Sequence, residues 1–204
     1  QIATAENLDE KGETTSSIAK RNGAVAAINA GGFYDANGTG TGRSPYGFII
    51  HDGKFILGQN VADSEVNEFV GLTDDGNLIA GNYSKGELIS MDVKEGISFG
   101  PALIVNGERM ITSGDGGWGV GPRTAIGQKK DGTVLFLVID GRQPSYSIGA
   151  TLRDVQNILY EEGAYIAANL DGGSSSTLYM NGNVVNKPAD LLGERMIPTA
   201  FIVK

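Results

Sequence analysis

Three apolar runs in this sequence end alike. Ala24-Val-Ala-Ala-Ile-Asn29 passes into Ala30-Gly31-Gly32-Phe33, and Val134-Leu-Phe-Leu-Val-Ile139 into Asp140-Gly141-Arg142. Tyr165-Ile-Ala-Ala-Asn-Leu170 passes into Asp171-Gly172-Gly173-Ser174-Ser175-Ser176. Each reads as a buried strand that delivers a polar side chain and is followed at once by glycine. Glycine there lets the chain turn sharply and lets a ligand approach the backbone. Behind Asp171, successive amides and three hydroxyls can form a nest for a phosphate or a developing oxyanion. The loop is not a P-loop, because it lacks the glycine spacing and the following lysine. Asp131-Gly132 sits between two strand-like runs. If it is a two-residue hairpin turn, the pairing sets Arg123 opposite Asp140, with Arg142 two residues further on. A carboxylate with two guanidinium groups is then expected at the mouth of that strand pair, unless the register slips by one.

The elements that must carry these groups are mostly short strands. Five Asp-Gly or Asn-Gly pairs separate apolar runs: Asp52-Gly53, Asp75-Gly76, Asn106-Gly107, Asp131-Gly132 and Asn181-Gly182. Each is a hairpin signal, since type I′ turns need positive φ at both central residues. Thr14 to Arg21 reads as a short helix closed by Asn22-Gly23. Thr151 to Glu162 reads as the main helix, with Thr151 and Asp154 as a capping pair. Its buried stripe is Leu152, Val155, Ile158 and Leu159, and Gly163 ends it. The expected class is α+β, one domain over residues 1–204 with a mixed, largely antiparallel sheet.

Composition sets limits. Hydrophobic residues make up 40% and charged residues 20%, as in an ordinary globular chain. Glycine, at 31 of 204 residues, is about twice as frequent as usual and has no fixed period, which excludes collagen. The net charge of −8 argues against nucleic acid as a partner. An anionic substrate stays possible where an arginine pair answers it. Without cysteine, disulfides, thiolate catalysis and cysteine-bound metals are absent. No apolar run approaches the ~20 residues that span a bilayer. The chain starts at Gln1, and we expect it to be part of a longer exported protein whose signal or anchor lies upstream.

Asn29-Ala-Gly-Gly-Phe-Tyr34, Pro122-Arg-Thr-Ala-Ile-Gly127, Asp140-Gly-Arg142 and Asn169-Leu-Asp-Gly-Gly-Ser-Ser-Ser176 occur in an order that resembles the phosphodiester glycosidase domain family. That family includes the mannose-6-phosphate uncovering enzyme and bacterial relatives labelled exopolysaccharide-biosynthesis proteins. The resemblance runs from about Ala24 to the C-terminus, and residues 59–97 match none of it. Ser174 stands where the family usually has a third glycine. The resemblance implies hydrolysis between an anomeric carbon and a phosphate oxygen, on a glycan or cell-surface polymer outside the cell. Glycosyl transfer usually takes two carboxyl groups, and Asp140 and Asp171 are the natural pair. The implied roles are Asp171 as main catalytic carboxylate and Asp140 as its partner or orienting group. Arg123 and Arg142 would bind the phosphate. Asn29, Gly31, Gly32 and the Gly172, Gly173, Ser174 and Ser175 loop would hold sugar hydroxyls or phosphate, and Trp118 would be a stacking platform. No cofactor or metal is called for.

Each residue also has a plainer reading. Arg123–Asp140 could be a structural bridge, Asp171-Gly-Gly a tight turn, Asn29 a satisfied turn residue and Trp118 a core plug. His51, the only histidine, reads as a solvated hairpin residue, and Asp74-Asp75 as a solvated turn. Two other functions stay open: a glycan-binding domain without catalysis, and a metal-dependent phosphodiesterase using the same aspartates.

Overall fold

A computed structural model describes all residues except 9 and 36–39. In chain order its first elements are β1 (Ile2–Thr4), α1 (Thr15–Arg21), β2 (Ala26–Asn29), β3 (Ile49–His51), β4 (Lys54–Leu57), β5 (Val66–Thr73) and β6 (Leu78–Ser84). They are followed by α2 (Lys85–Ser90), β7 (Val93–Ile97), β8 (Ala102–Val105), β9 (Glu108–Arg109), β10 (Arg123–Lys129) and β11 (Val134–Ile139). The last are α3 (Leu152–Glu161), β12 (Ala164–Leu170), β13 (Leu178–Met180), β14 (Asn183–Val184) and β15 (Thr199–Val203). The strands form three five-stranded sheets, ordered β1-β15-β2-β13-β14, β11-β10-β12-β8-β9 and β4-β3-β7-β5-β6. Every pairing is antiparallel. The class is α+β, with three sheets in place of one.

Alternation along the strands explains how the sheets assemble, because successive side chains point to opposite faces. Ile28 and Phe201 of the first sheet, Ile126 and Ala168 of the second, and Ile49, Val70 and Ile97 of the third meet in one core. Their neighbours face outward under a helix. Ala27 and Ala200 pack under Ile18 and Ala19 of α1. Ala125 and Ala167 pack under Leu152, Val155 and Leu159 of α3. Ile50 and Phe69 pack under Leu88 of α2. Each sheet is thus covered on both faces, which a chain with so few helices achieves only by sharing the central core.

The helices start where the capping chemistry puts them. The Thr14 side chain accepts from the Ser17 amide, and Thr151 and Asp154 form a reciprocal capping box. In α3 the buried stripe differs by one position. Ile158 is 38% exposed, whereas Gln156 is buried with its amide bonded to both backbone groups of Ile111. A polar side chain occupies a core position because the β9–Ile111 segment leaves two backbone groups there to satisfy. α2, not expected from the sequence, starts at a capping box of its own, Ser84-Lys-Gly-Glu87.

All five predicted turns close hairpins, but by two geometries. At Asp52-Gly53, Asn106-Gly107 and Asn181-Gly182 both residues have positive φ, as a two-residue type I′ turn requires. At Asp75-Gly76 and Asp131-Gly132 only the glycine does. In the second of these the Gly132 amide donates to the Lys129 carbonyl and the Lys129 amide to the Thr133 carbonyl. This is a three-residue loop ending in a left-handed glycine. The extra residue shifts the register by one, so Arg123 pairs with Ile139 and not with Asp140. A one-residue shift turns a side chain to the opposite face. The expected Arg123–Asp140 pairing is therefore absent.

Truncating α3 should reveal which positions it buries. Leu159→Ala should lower unfolding free energy by about 2–5 kcal/mol, and Ile158→Ala by less than about 1 kcal/mol, in urea titrations followed by circular dichroism.

Candidate active site

β12 lies in the middle of the second sheet, and Asp171 is the residue just beyond its end. Two groups from the end of β2 hold it there. The Asp171 amide donates to the Ala30 carbonyl at 2.9 Å, and the Asn29 side-chain amide donates to the Asp171 carbonyl. The Asn29 side-chain oxygen accepts from the Thr124 hydroxyl at 2.8 Å and the Thr177 amide at 3.1 Å. Asn29 is completely buried. It joins the first and second sheets and fixes the Asp171 loop, and so does not hold sugar hydroxyls as expected from the sequence.

Asp171 opens into a cleft of about 370 Å³ lined by Gly32, Phe33, Asp35, Tyr46, Phe99, Trp118, Arg142, the Asp171–Ser175 loop and Arg195. Burial pushes its carboxyl up to about 6, against hydrogen bonds from the Ser175 side chain and the Gly172 backbone and the opposing charge of Arg195. The Asp35 carboxylate adds to the upward push. Asp35 itself forms an ion pair with Arg195 and accepts from the Gly40 amide at 2.8 Å. The side-chain Nε of Arg195 is buried without a partner among the described residues. One wall is aromatic: Tyr46 stacks on Phe99 at 6.4 Å, and Trp118 meets Phe99 edge-on at 6.0 Å. Burial and the nearby Asp171 push the Tyr46 phenol up to about 12, so it stays a neutral hydrogen-bond donor.

Of the residues named from sequence, Gly32, Trp118, Arg142 and the Gly172–Ser175 loop reach the cleft with Asp171. Trp118 is half-exposed there and does not plug the core. Arg142 holds a left-handed backbone, φ 56°, and brings its guanidinium to 3.5 Å from the Ser174 hydroxyl. Gly173 makes room for it, since a Cβ there would stand 3.2 Å from the guanidinium nitrogens. Gly173 also takes the positive φ of the loop, 61°, and Ser174 does not, so serine fits the family's third glycine position without strain. The expected nest of amides is only partly available. The Gly173 amide donates to the Pro122 carbonyl, and the Ser175 and Ser176 amides donate to the Gly172 and Gly173 carbonyls in a turn of 3₁₀ helix.

Three further expected site residues fall away from the cleft. Gly31 is buried behind it, its amide donating to Thr199 at 2.9 Å. Arg123 is 5% exposed and gives its guanidinium to the carbonyls of Trp118, Gly119 and Ala150. It shapes the Trp118 loop and does not line the cleft. Asp140 accepts from the Asn186 side chain, the Lys187 amide and the Tyr146 hydroxyl, and pins those two loops together. The carboxylate beside Asp171 is Asp35. His51 pairs with Glu95 at 3.0 Å in the third sheet, away from the serine loop. Among the described residues, no three His, Asp or Glu side chains gather as a metal site. Asp35, Tyr46, Phe99 and Arg195 escaped the sequence reading. Asp35 follows directly on the Asn29–Tyr34 motif, but nothing local distinguishes Arg195. A larger cavity of about 520 Å³ lies at the far end of β10 and β12, and no carboxylate lines it.

The model of the phosphodiester glycosidase family matches residues 22–204. The chain belongs to this family. It is 32% identical over 197 residues to the SPbeta prophage-derived uncharacterized protein YomE of Bacillus subtilis, covering 93% of this chain and 29% of that protein. It is 25% identical over 203 residues to N-acetylglucosamine-1-phosphodiester α-N-acetylglucosaminidase of Bos taurus, covering 90% of this chain and 36% of that protein. The chain thus spans about a third of the length of these relatives. The fold is shared with the catalytic domain of the zebrafish N-acetylglucosamine-1-phosphodiester α-N-acetylglucosaminidase, at TM-score 0.79 and 24% identity, over 99% of this chain and 71% of that one. A hypothetical protein from Synechocystis gives TM-score 0.68 at 17% identity, over 98% and 55%.

The raised Asp171 carboxyl has a stability consequence with a definite sign. Its folded value of about 6 exceeds the ~3.9 of an unfolded aspartate, so the folded state binds the extra proton between those limits. Stability contributed by this group therefore falls as pH rises from about 4 to about 6, by up to about 3 kcal/mol. Asp171→Asn should stabilise the fold by about 1–3 kcal/mol at pH 7 and change it little at pH 4, as read from urea midpoints at the two pH values.

Proposed function

We propose that this domain is a hydrolase of sugar-1-phosphate diesters, acting outside the cell on a glycan or cell-surface polymer. The observation that carries the reading is Asp171, a carboxyl poised near neutrality in a cleft that also holds arginines and an aromatic wall. Family membership and the printed activity of the bovine relative support the same reaction class.

The chemistry follows from the residues present. Above pH 6 Asp171 is ionised and accepts a proton from a water molecule as that water's oxygen bonds to the anomeric carbon. The bond from that carbon to the phosphate oxygen breaks, and the electron pair leaves with the phosphate monoester. A phosphate monoester is already a good leaving group and needs no strong general acid. Arg142 lies at the cleft surface to meet its charge, and Arg195, neutralised in part by Asp35, holds the electrostatics around Asp171. Tyr46 remains protonated and can donate to a sugar or phosphate oxygen.

The test is release of GlcNAc from a GlcNAc-1-phosphodiester such as UDP-GlcNAc by wild type and Asp171→Ala, with and without EDTA. The expected result is turnover that chelator leaves unchanged and that the substitution lowers by at least about 10²–10⁴-fold. Wild-type kcat/KM should fall about tenfold per pH unit below pH 6, as Asp171 takes up its proton. A folded protein that turns over none of several sugar diesters would be a glycan-binding domain instead. Loss of turnover in EDTA would favour metal-dependent phosphodiester hydrolysis.

A further inference from the structure

The aromatic wall of the cleft has a second side. Tyr46, Phe99 and Trp118 also line a pocket of about 290 Å³ completed by Val66, Asn67, Glu68, Ser98 and Gly100. The two pockets share these three rings, so a ligand in either one meets Trp118. Their charges differ. The Asp171 cleft carries two arginines, Arg142 and Arg195, beside Asp35 and Asp171, whereas the second pocket carries one charged group, the Glu68 carboxylate, and no cation. Glu68 is exposed and has no hydrogen bond or ion pair among the described residues. It lies flat over the backbone, where a Cβ on Gly100 would stand 2.8 Å from its carboxyl. Tyr46 lines both pockets, and its phenol is raised by burial first and then by the charges of Asp171 and Glu68.

An unpaired carboxylate and an amide beside aromatic faces are groups that recognise an uncharged sugar: the rings take its apolar face and the carboxylate accepts from its hydroxyls. The same carboxylate repels a phosphate or a uronic acid. Resting on the phosphodiester glycosidase reading above, we propose that the Glu68 pocket holds an uncharged pyranose of the substrate, and that Glu68 selects it against anionic sugars. The phosphate is thereby kept on the arginine side of the wall. Asn67 and Glu68 come from β5, within the stretch 59–97 that lacks the family motifs, so sugar choice is separated from the motif-bearing residues around Asp171.

Trp118 is the only tryptophan of the chain, and its fluorescence reports on this wall whether or not turnover occurs. Wild type and Glu68→Gln are titrated with N-acetylglucosamine and with glucuronic acid, and turnover of UDP-GlcNAc and UDP-glucuronic acid is measured in parallel. Wild type should bind the neutral sugar at least about tenfold more tightly, in line with a charge-assisted hydrogen bond, and Glu68→Gln should lose most of that preference while keeping its circular dichroism. The pocket assignment is overturned if the neutral sugar leaves Trp118 unchanged, or if the preference survives Glu68→Gln. Sugar-dependent fluorescence with no turnover of either diester would instead overturn the hydrolase reading and leave the pocket standing.

Discussion

The buried amide of Asn29 is the joint on which the site depends. Its oxygen accepts from Thr124 on the second sheet and from the Thr177 amide beyond the serine loop, and its nitrogen donates to the Asp171 carbonyl. A fully buried amide with these partners is costly to disturb, because each lost bond would leave an unsatisfied group without water. The Asp171 backbone is held in addition by Ala30, next in the chain. Two sheets that share an apolar core are thereby registered to each other where Asp171 is placed. Hydrophobic packing is non-directional and could not set that position by itself.

With its backbone fixed, Asp171 keeps a charge in a place that disfavours charge. Burial outweighs the Ser175 and Gly172 hydrogen bonds and the Arg195 attraction. Arg195 cannot fully compensate, since it is paired with Asp35. The outcome is a carboxyl that changes state near pH 6, which suits proton transfer and works against stability. The rest of the fold offsets this through a core common to all three sheets and three helices that cover their outer faces.

The same motifs serve two kinds of work. Asp171, Gly173, Ser175 and Arg142 meet in the cleft, while Asn29, Arg123 and Asp140 hold the loops that form it. A polar residue at the end of a buried strand is suited to either task, because both need a side chain with a fixed position. What separates them is whether the polar atoms are already engaged inside the protein. On the far side of Tyr46, Phe99 and Trp118, β5 lines a second pocket with groups outside the motifs.

Sequence alone determined what local chemistry can determine. Capping at Thr14 and Thr151, the five glycine turns, the strand alternation and the three strand ends bearing Asn29, Asp140 and Asp171 all rest on interactions within a few residues. Only the tertiary structure decided which of those ends share a cleft. One residue in the Lys129–Thr133 turn moved Arg123 away from Asp140, and the partition of strands among three sheets brought in Asp35, Tyr46, Phe99 and Arg195 from distant segments. Neither is written in a motif. A side chain's role depends on the partners its polar atoms meet across sheets, and those partners exist only once the core has closed.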